Sequence, residues 1–155
     1  MLEIWVFILY KEAGFVKKKA IISIISNQNY EDDDVIEVVT PGEFYINNDG
    51  YEAIYEETEI SGMEGTTTKL KIFGNEISLE REGTTTTKMD FKKNNNYITL
   101  YNTPYGMLEL KINTKNLKID MSDNGGEVQI DYNLSVSGQP PQETQLKIKI
   151  NSIVN

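Results

Sequence analysis

The feature that most constrains this chain is the alternation of apolar and polar residues, repeated in short segments from Ala20 almost to the last residue. Val128, Ile130, Tyr132, Leu134 and Val136 alternate with Gln129, Asp131, Asn133 and Ser135. Leu146, Ile148 and Ile150 alternate with Lys147 and Lys149, and Leu108, Leu110 and Ile112 with Glu109 and Lys111. Leu117, Ile119 and Met121 alternate with Lys118 and Asp120. A period of two sends successive side chains to opposite faces, so each segment reads as a strand with one buried and one wet face. Helix content is expected to be negligible apart from single turns.

The segments fall roughly at 19–27, 35–47, 51–60, 66–73, 76–82, 85–92, 96–102, 106–114, 117–122, 127–137 and 143–151. Turn chemistry separates them: Gly74-Asn75, Gly83-Thr84, Asn94-Asn95, Thr103-Pro104-Tyr105-Gly106, Asn124-Gly125-Gly126 and Gly138-Gln139-Pro140. Connections this short enforce an up-and-down meander, and a twisted meander of this length closes on itself and removes its exposed edges. The expected fold is therefore all-β, an antiparallel up-and-down barrel of about ten strands, with the first or last segment free to lie outside it. Pro41-Gly42 interrupts the second segment and predicts a bulge or corner, because proline donates nothing to a ladder.

At 155 residues, 39% of them apolar, the chain holds one domain with one core. A net charge of −9 argues against nucleic acid, whose recognition needs a basic face, and against an anionic membrane surface. The absence of cysteine and histidine removes disulfides, thiol nucleophiles, Ser-His-Asp triads and imidazole or thiolate zinc sites. No cofactor is implied, and with no export signal the chain reads as cytoplasmic. No nucleophile-base pair stands out, so an enzyme is not expected.

The apolar run Leu2 to Tyr10 is too short to span a bilayer and lacks the basic start and small-residue cleavage site of a signal peptide. Residues 1–15 read either as a short arm packed on the domain or as a misplaced start. The second reading rests on Lys11-Glu12-Ala13, which AAG-GAG-GCN can encode with a ribosome-binding sequence, and on Val16 as a GTG start before Lys17, Lys18 and Lys19. On that reading the barrel domain spans 16–155, and removing 1–15 leaves its stability unchanged.

The run from Tyr51 to Leu117 resembles the bacterial YwiB family. It is carried by YEAIYEETEI at 51–60, LEREG at 79–83, MDF at 89–91 and YNTPYGMLELKINTKNL at 101–117, with IDYNLSV at 130–136 in support. The resemblance implies a calycin-like, lipocalin-type barrel and no particular activity, the family being a domain of unknown function. The lipocalin Gly-x-Trp signature is absent, the sole tryptophan being Trp5. A retinol-type or fatty-acid-type ligand therefore does not follow by analogy.

The candidate site follows from parity. One rim is expected to collect the connections near 28–34, 61–65, 83–84, 103–106 and 123–126. Arg81, the sole arginine, shares parity with Ile77 and Leu79 and so points inward near that rim. A buried guanidinium needs an answering charge. Glu57, two strands away, shares parity with Tyr55 and Ala53, and Thr66, Thr68, Thr85 and Thr87 leave room between. Tyr101 and Thr103 end a strand at the same rim. These four, Arg81, Glu57, Tyr101 and Thr103, form the candidate ligand-binding set, for which a small anionic or polar ligand is the expected partner. The alternative is a structural or interaction barrel with a filled core, in which Arg81 and Glu57 merely plug the end.

Weaker signals read as ordinary loops. Glu31-Asp32-Asp33-Asp34 is a solvated turn, and Asp120, Asp123, Asn124 and Glu127 surround a hairpin without EF-hand spacing. Tyr97, Tyr101 and Tyr105 read as core and rim packing rather than a stacking platform. Glu56 and Glu57, adjacent on a strand, face opposite sides and cannot form a dyad.

Overall fold

Alternation of this kind leaves each strand with an apolar face to bury, and here ten strands bury theirs against one another. The computed structural model describes residues 16–29 and 35–153. The strands are β1 (Val16–Gln28), β2 (Val35–Ile46), β3 (Tyr51–Glu56), β4 (Thr66–Phe73), β5 (Glu76–Gly83), β6 (Thr87–Lys92), β7 (Asn96–Thr103), β8 (Gly106–Ser122), β9 (Gly125–Val136) and β10 (Gln142–Ser152). The helical structure among the described residues is a single 3-10 turn at Glu59–Ser61, ended by Gly62 in the left-handed conformation. No helix there is long and apolar enough to cross a membrane.

All ladders are antiparallel, in the order β6-β5-β4-β3-β2-β1-β10-β9-β8-β7. The two ends of that sheet meet at one bridge, where Thr86 and Asn102 exchange backbone hydrogen bonds of 3.0 and 2.9 Å. The β6–β7 turn also reaches β8, Asn94 N–H donating to the Thr114 carbonyl at 3.0 Å. The result is a nearly closed barrel. Its lower half is solid: Ile22, Phe44, Leu70, Ile77, Ile130 and Ile148 are all fully buried.

The sequence reading needs four corrections. First, the segments 106–114 and 117–122 are one strand. A β-bulge between Thr114 and Asn116 inserts one residue, so the inward set changes from even numbers (Leu110, Ile112, Thr114) to odd (Leu117, Ile119, Met121) while pairing with β9 continues. Second, losing that strand break moves the 123–126 connection to the opposite rim. There the Asn124 carbonyl accepts from Ser152 N–H, and Lys18 donates to the Asp123 carbonyl at 2.7 Å. The 137–141 connection takes its place at the upper rim. Third, Pro41-Gly42 carries no bulge: the β1–β2 register passes through Ile21–Pro41 and Ala20–Gly42 unshifted. The pair marks instead where β2 stops pairing with β3, whose last matched residues are Glu43 and Ile54. Fourth, β3 ends at Glu56, not 60, and β6 starts at Thr87, not 85. Residues 1–15 and the acidic run at 31–34 lie outside the described residues.

Candidate binding site at the barrel mouth

Arg81 lies near the end of β5, on the face that also presents the buried Ile77 and Leu79. Its ladder partners are Thr68 on β4 and Thr87 on β6, and Thr68 pairs in turn with Tyr55 on β3. Tyr55, Thr68, Arg81 and Thr87 therefore form one inward row near the upper rim. Thr68 and Thr87 are buried and short, so nothing in the row blocks the guanidinium.

Glu57 is the residue just beyond β3. Its N–H donates to the Thr66 carbonyl at 2.8 Å, which keeps the chain against β4 and holds the side chain inward. Glu56 points the other way and takes the Thr67 hydroxyl at 2.8 Å. The Glu57 carboxylate is only 4% exposed and accepts a 2.6 Å hydrogen bond from the Thr68 hydroxyl. Arg81 Nε stands 3.9 Å from the same oxygen, and the arginine side chain is 16% exposed. That distance makes an ion pair without a hydrogen bond. Nε is buried with no acceptor, and no protein acceptor among the described residues lies within hydrogen-bond reach of the guanidinium. Leaving buried donors unmet is expensive.

The guanidinium's field reaches both walls of the lumen. Burial pushes the Tyr55 hydroxyl well above the usual tyrosine range; the Glu57 carboxylate adds to the shift and Arg81 opposes it. Burial also raises Tyr132 on β9, and Arg81 again opposes the shift. In the order of strands, β9 stands four places from β5 by the shorter way round, so Arg81 acts across the interior and not along the wall.

What it acts into is a cavity of about 320 Å³ in the upper half of the barrel. Tyr55, Glu57 and Arg81 make one side of it. Leu110, Leu134, Val136 and Leu146, from β8, β9 and β10, make the other. Tyr101 also lines the cavity, as expected from its position. Thr103 does not: its hydroxyl donates to the Gly106 carbonyl at 2.8 Å and accepts the Tyr105 N–H at 3.1 Å, so it is spent on the β7–β8 turn.

Two features of the candidate site were not legible in the residues alone. Thr68 is the direct hydrogen-bond partner of Glu57, and Tyr132 faces Arg81 from the opposite wall. The inward parity of both was readable, but their positions across the lumen depend on register. No group of three or more acidic residues among those described is placed to hold a metal ion. Asp123 is occupied by Lys18 at its carbonyl and by the Tyr51 hydroxyl at its carboxylate, 3.3 Å away.

The family model described as Domain of unknown function (DUF1934) matches residues 21–148. The chain belongs to this family. It is 28% identical over 128 residues to the Uncharacterized beta-barrel protein YwiB of Bacillus subtilis (strain 168), covering 80% of this chain and 88% of that protein. The crystal structure of the ywiB protein from Bacillus subtilis superposes with a TM-score of 0.74 at 21% identity, covering 94% of this chain and 99% of that one. The barrel is thus the fold of the family.

Proposed function

We propose that this protein binds a small anionic or polar molecule in the mouth of the barrel, with Arg81 as the anchor. One observation carries the reading: an arginine side chain that is mostly buried, opens onto a cavity, and has no hydrogen-bond acceptor among the described residues. A merely structural arginine would be expected to sit bidentate on its carboxylate. Here Glu57 accepts the Thr68 hydroxyl and offers Arg81 charge alone, which leaves the guanidinium's donors for a ligand.

The test is thermal melting in acetate, benzoate and phosphate at constant ionic strength. Ligand at ten times its Kd stabilises by about 1.4 kcal/mol, a rise of about 3–6 °C for a domain of this size. The comparison protein is the double variant Arg81→Leu/Glu57→Gln, which removes both charges together and so avoids stranding one of them. The wild type should shift and the double variant should not. Equal shifts, or none with any of the three anions, would count against an anion site at Arg81.

A second reading, an interaction barrel acting through its outer surface, is favoured by Ile98 and Leu100. Both are more than half exposed on the outward face of β7.

A further inference from the structure

The cavity has a shape and a polarity that narrow the class of ligand. Its charged pair, Arg81 on β5 and Glu57 just beyond β3, faces Leu110, Leu134 and Leu146 on β8, β9 and β10 across the lumen, and Ser26, Gln28 and Ser61 also line it. The charges therefore face leucines across the lumen, in a lining that is otherwise mostly apolar.

Depth follows from the inward positions that line it. On β9 these run from Tyr132 to Val136, which is roughly 13 Å along the strand and about 10 Å along the axis once barrel tilt is included. Below that level the interior is closed by Phe91, whose ring packs 4.9 Å from that of Tyr132, and by the fully buried Ile130 and Ile148. The space is a short cup, about 10 Å deep and closed at its lower end. At about 30 Å³ per molecule, it holds about ten waters, so the ligand that replaces them is of similar size.

Charge narrows the class further. Glu57 already stands beside Arg81, and the chain as a whole carries −9. One cation shared with a resident carboxylate suits a single negative charge, and a dianion meets net repulsion.

The geometry points to a compact organic monoanion: a carboxylate on Arg81 joined to a branched or ring-shaped apolar body that lies across the cup against Leu110, Leu134 and Leu146. This rests on the anion-binding reading above and adds the chemical class. An extended long-chain acid is the wrong shape, because its tail would pass the rim into water and gain nothing from the extra carbons. Phosphate is also the wrong shape, because it leaves the apolar wall wet.

The experiment is calorimetric titration of the wild-type protein with benzoate, 4-isopropylbenzoate, octanoate, dodecanoate and inorganic phosphate. Each apolar carbon buried against the leucine wall is worth roughly fourfold in affinity. 4-Isopropylbenzoate should therefore bind at least tenfold more tightly than benzoate, and phosphate more weakly than either. Octanoate and dodecanoate should agree within twofold. Glu57→Gln removes the competing carboxylate while keeping an acceptor for Thr68, and it should tighten both benzoates several-fold. Dodecanoate binding tenfold more tightly than octanoate would overturn the compact shape while leaving the Arg81 anchor standing. Phosphate competing as well as benzoate would overturn the apolar half in the same way. Binding of the benzoates by Arg81→Leu/Glu57→Gln with wild-type affinity would remove the anchor itself, and no binding of any probe would remove both readings together.

Discussion

Replacing Glu57 with glutamine tests the energetics of the mouth most directly. The change is isosteric and keeps an oxygen to accept the Thr68 hydroxyl, now 2.6 Å away. What it removes is the charge 3.9 Å from Arg81 Nε. Two unit charges at that separation attract by about 4 kcal/mol at an effective dielectric of about 20. Two effects reduce the loss. Neutralising a side chain that is 4% exposed relieves its own desolvation, and an arginine side chain that is 16% exposed on a cavity wall can recruit water. Fully buried pairs lose about 3–5 kcal/mol when broken and exposed ones under about 1. The geometry here, half-dry and without a direct hydrogen bond, places the expected loss at about 2 kcal/mol. Urea unfolding at pH 7, with the slope of the transition held in common, measures it. The loss should persist in high salt, since screening barely reaches a pair inside the barrel. A change under about 0.5 kcal/mol, or a stabilisation, would show that Glu57 contributes no net charge pairing and that the reasoning about the buried pair is mistaken.

Three further outcomes follow from the packing. Gly42→Ala should destabilise by about 2–3 kcal/mol in the same unfolding assay, because a Cβ there meets Ile22 Cδ1 and lies 2.7 Å from the Ile54 carbonyl oxygen, which is backbone and cannot yield. Tyr55 and Tyr132 are held neutral by burial, with folded pKa values above the unfolded one near 10. Their stabilisation is fully present well below the unfolded value near 10 and is lost as pH climbs from there towards the folded values. Unfolding free energy measured from pH 8 to 11 should fall accordingly, and less steeply in Tyr55→Phe. Deleting Lys115 removes the extra residue of the bulge and restores strict alternation from Leu110 to Met121, so the protein should still fold. It loses little beyond the exposed 3.0 Å Lys115–Glu143 pair, under about 1 kcal/mol. Deleting Lys111 instead turns Ile112 and Thr114 outward and should abolish the cooperative thermal transition.

How much of this was readable in advance depends on the kind of physics involved. Alternation is set by covalent geometry within a strand, so the inward set on β4, β5, β6, β9 and β10 follows from the residues alone. Short turns set the order of the strands, because a two-residue connection can only join antiparallel neighbours. Arg81 was legible for the same reason: parity placed it inward, and counting from Gly83 placed it near a rim. The bulge was not legible. A parity change at Lys115 looks the same in sequence whether the chain turns back or slips by one residue in a continuing strand. Only pairing with β9, which runs unbroken from Leu110–Val136 to Ser122–Gly125, decides between them. That decision placed the 123–126 turn on the far rim and brought 137–141 to the mouth. The cavity likewise belongs to the tertiary structure alone. Each strand determines which side chains point inward, but whether they meet at the centre depends on the volumes contributed by all ten strands at one level. In the lower barrel, Phe44 and Phe91 fill that space. Near the upper rim, threonines stand beside Arg81 where large side chains would be needed, and the space stays open.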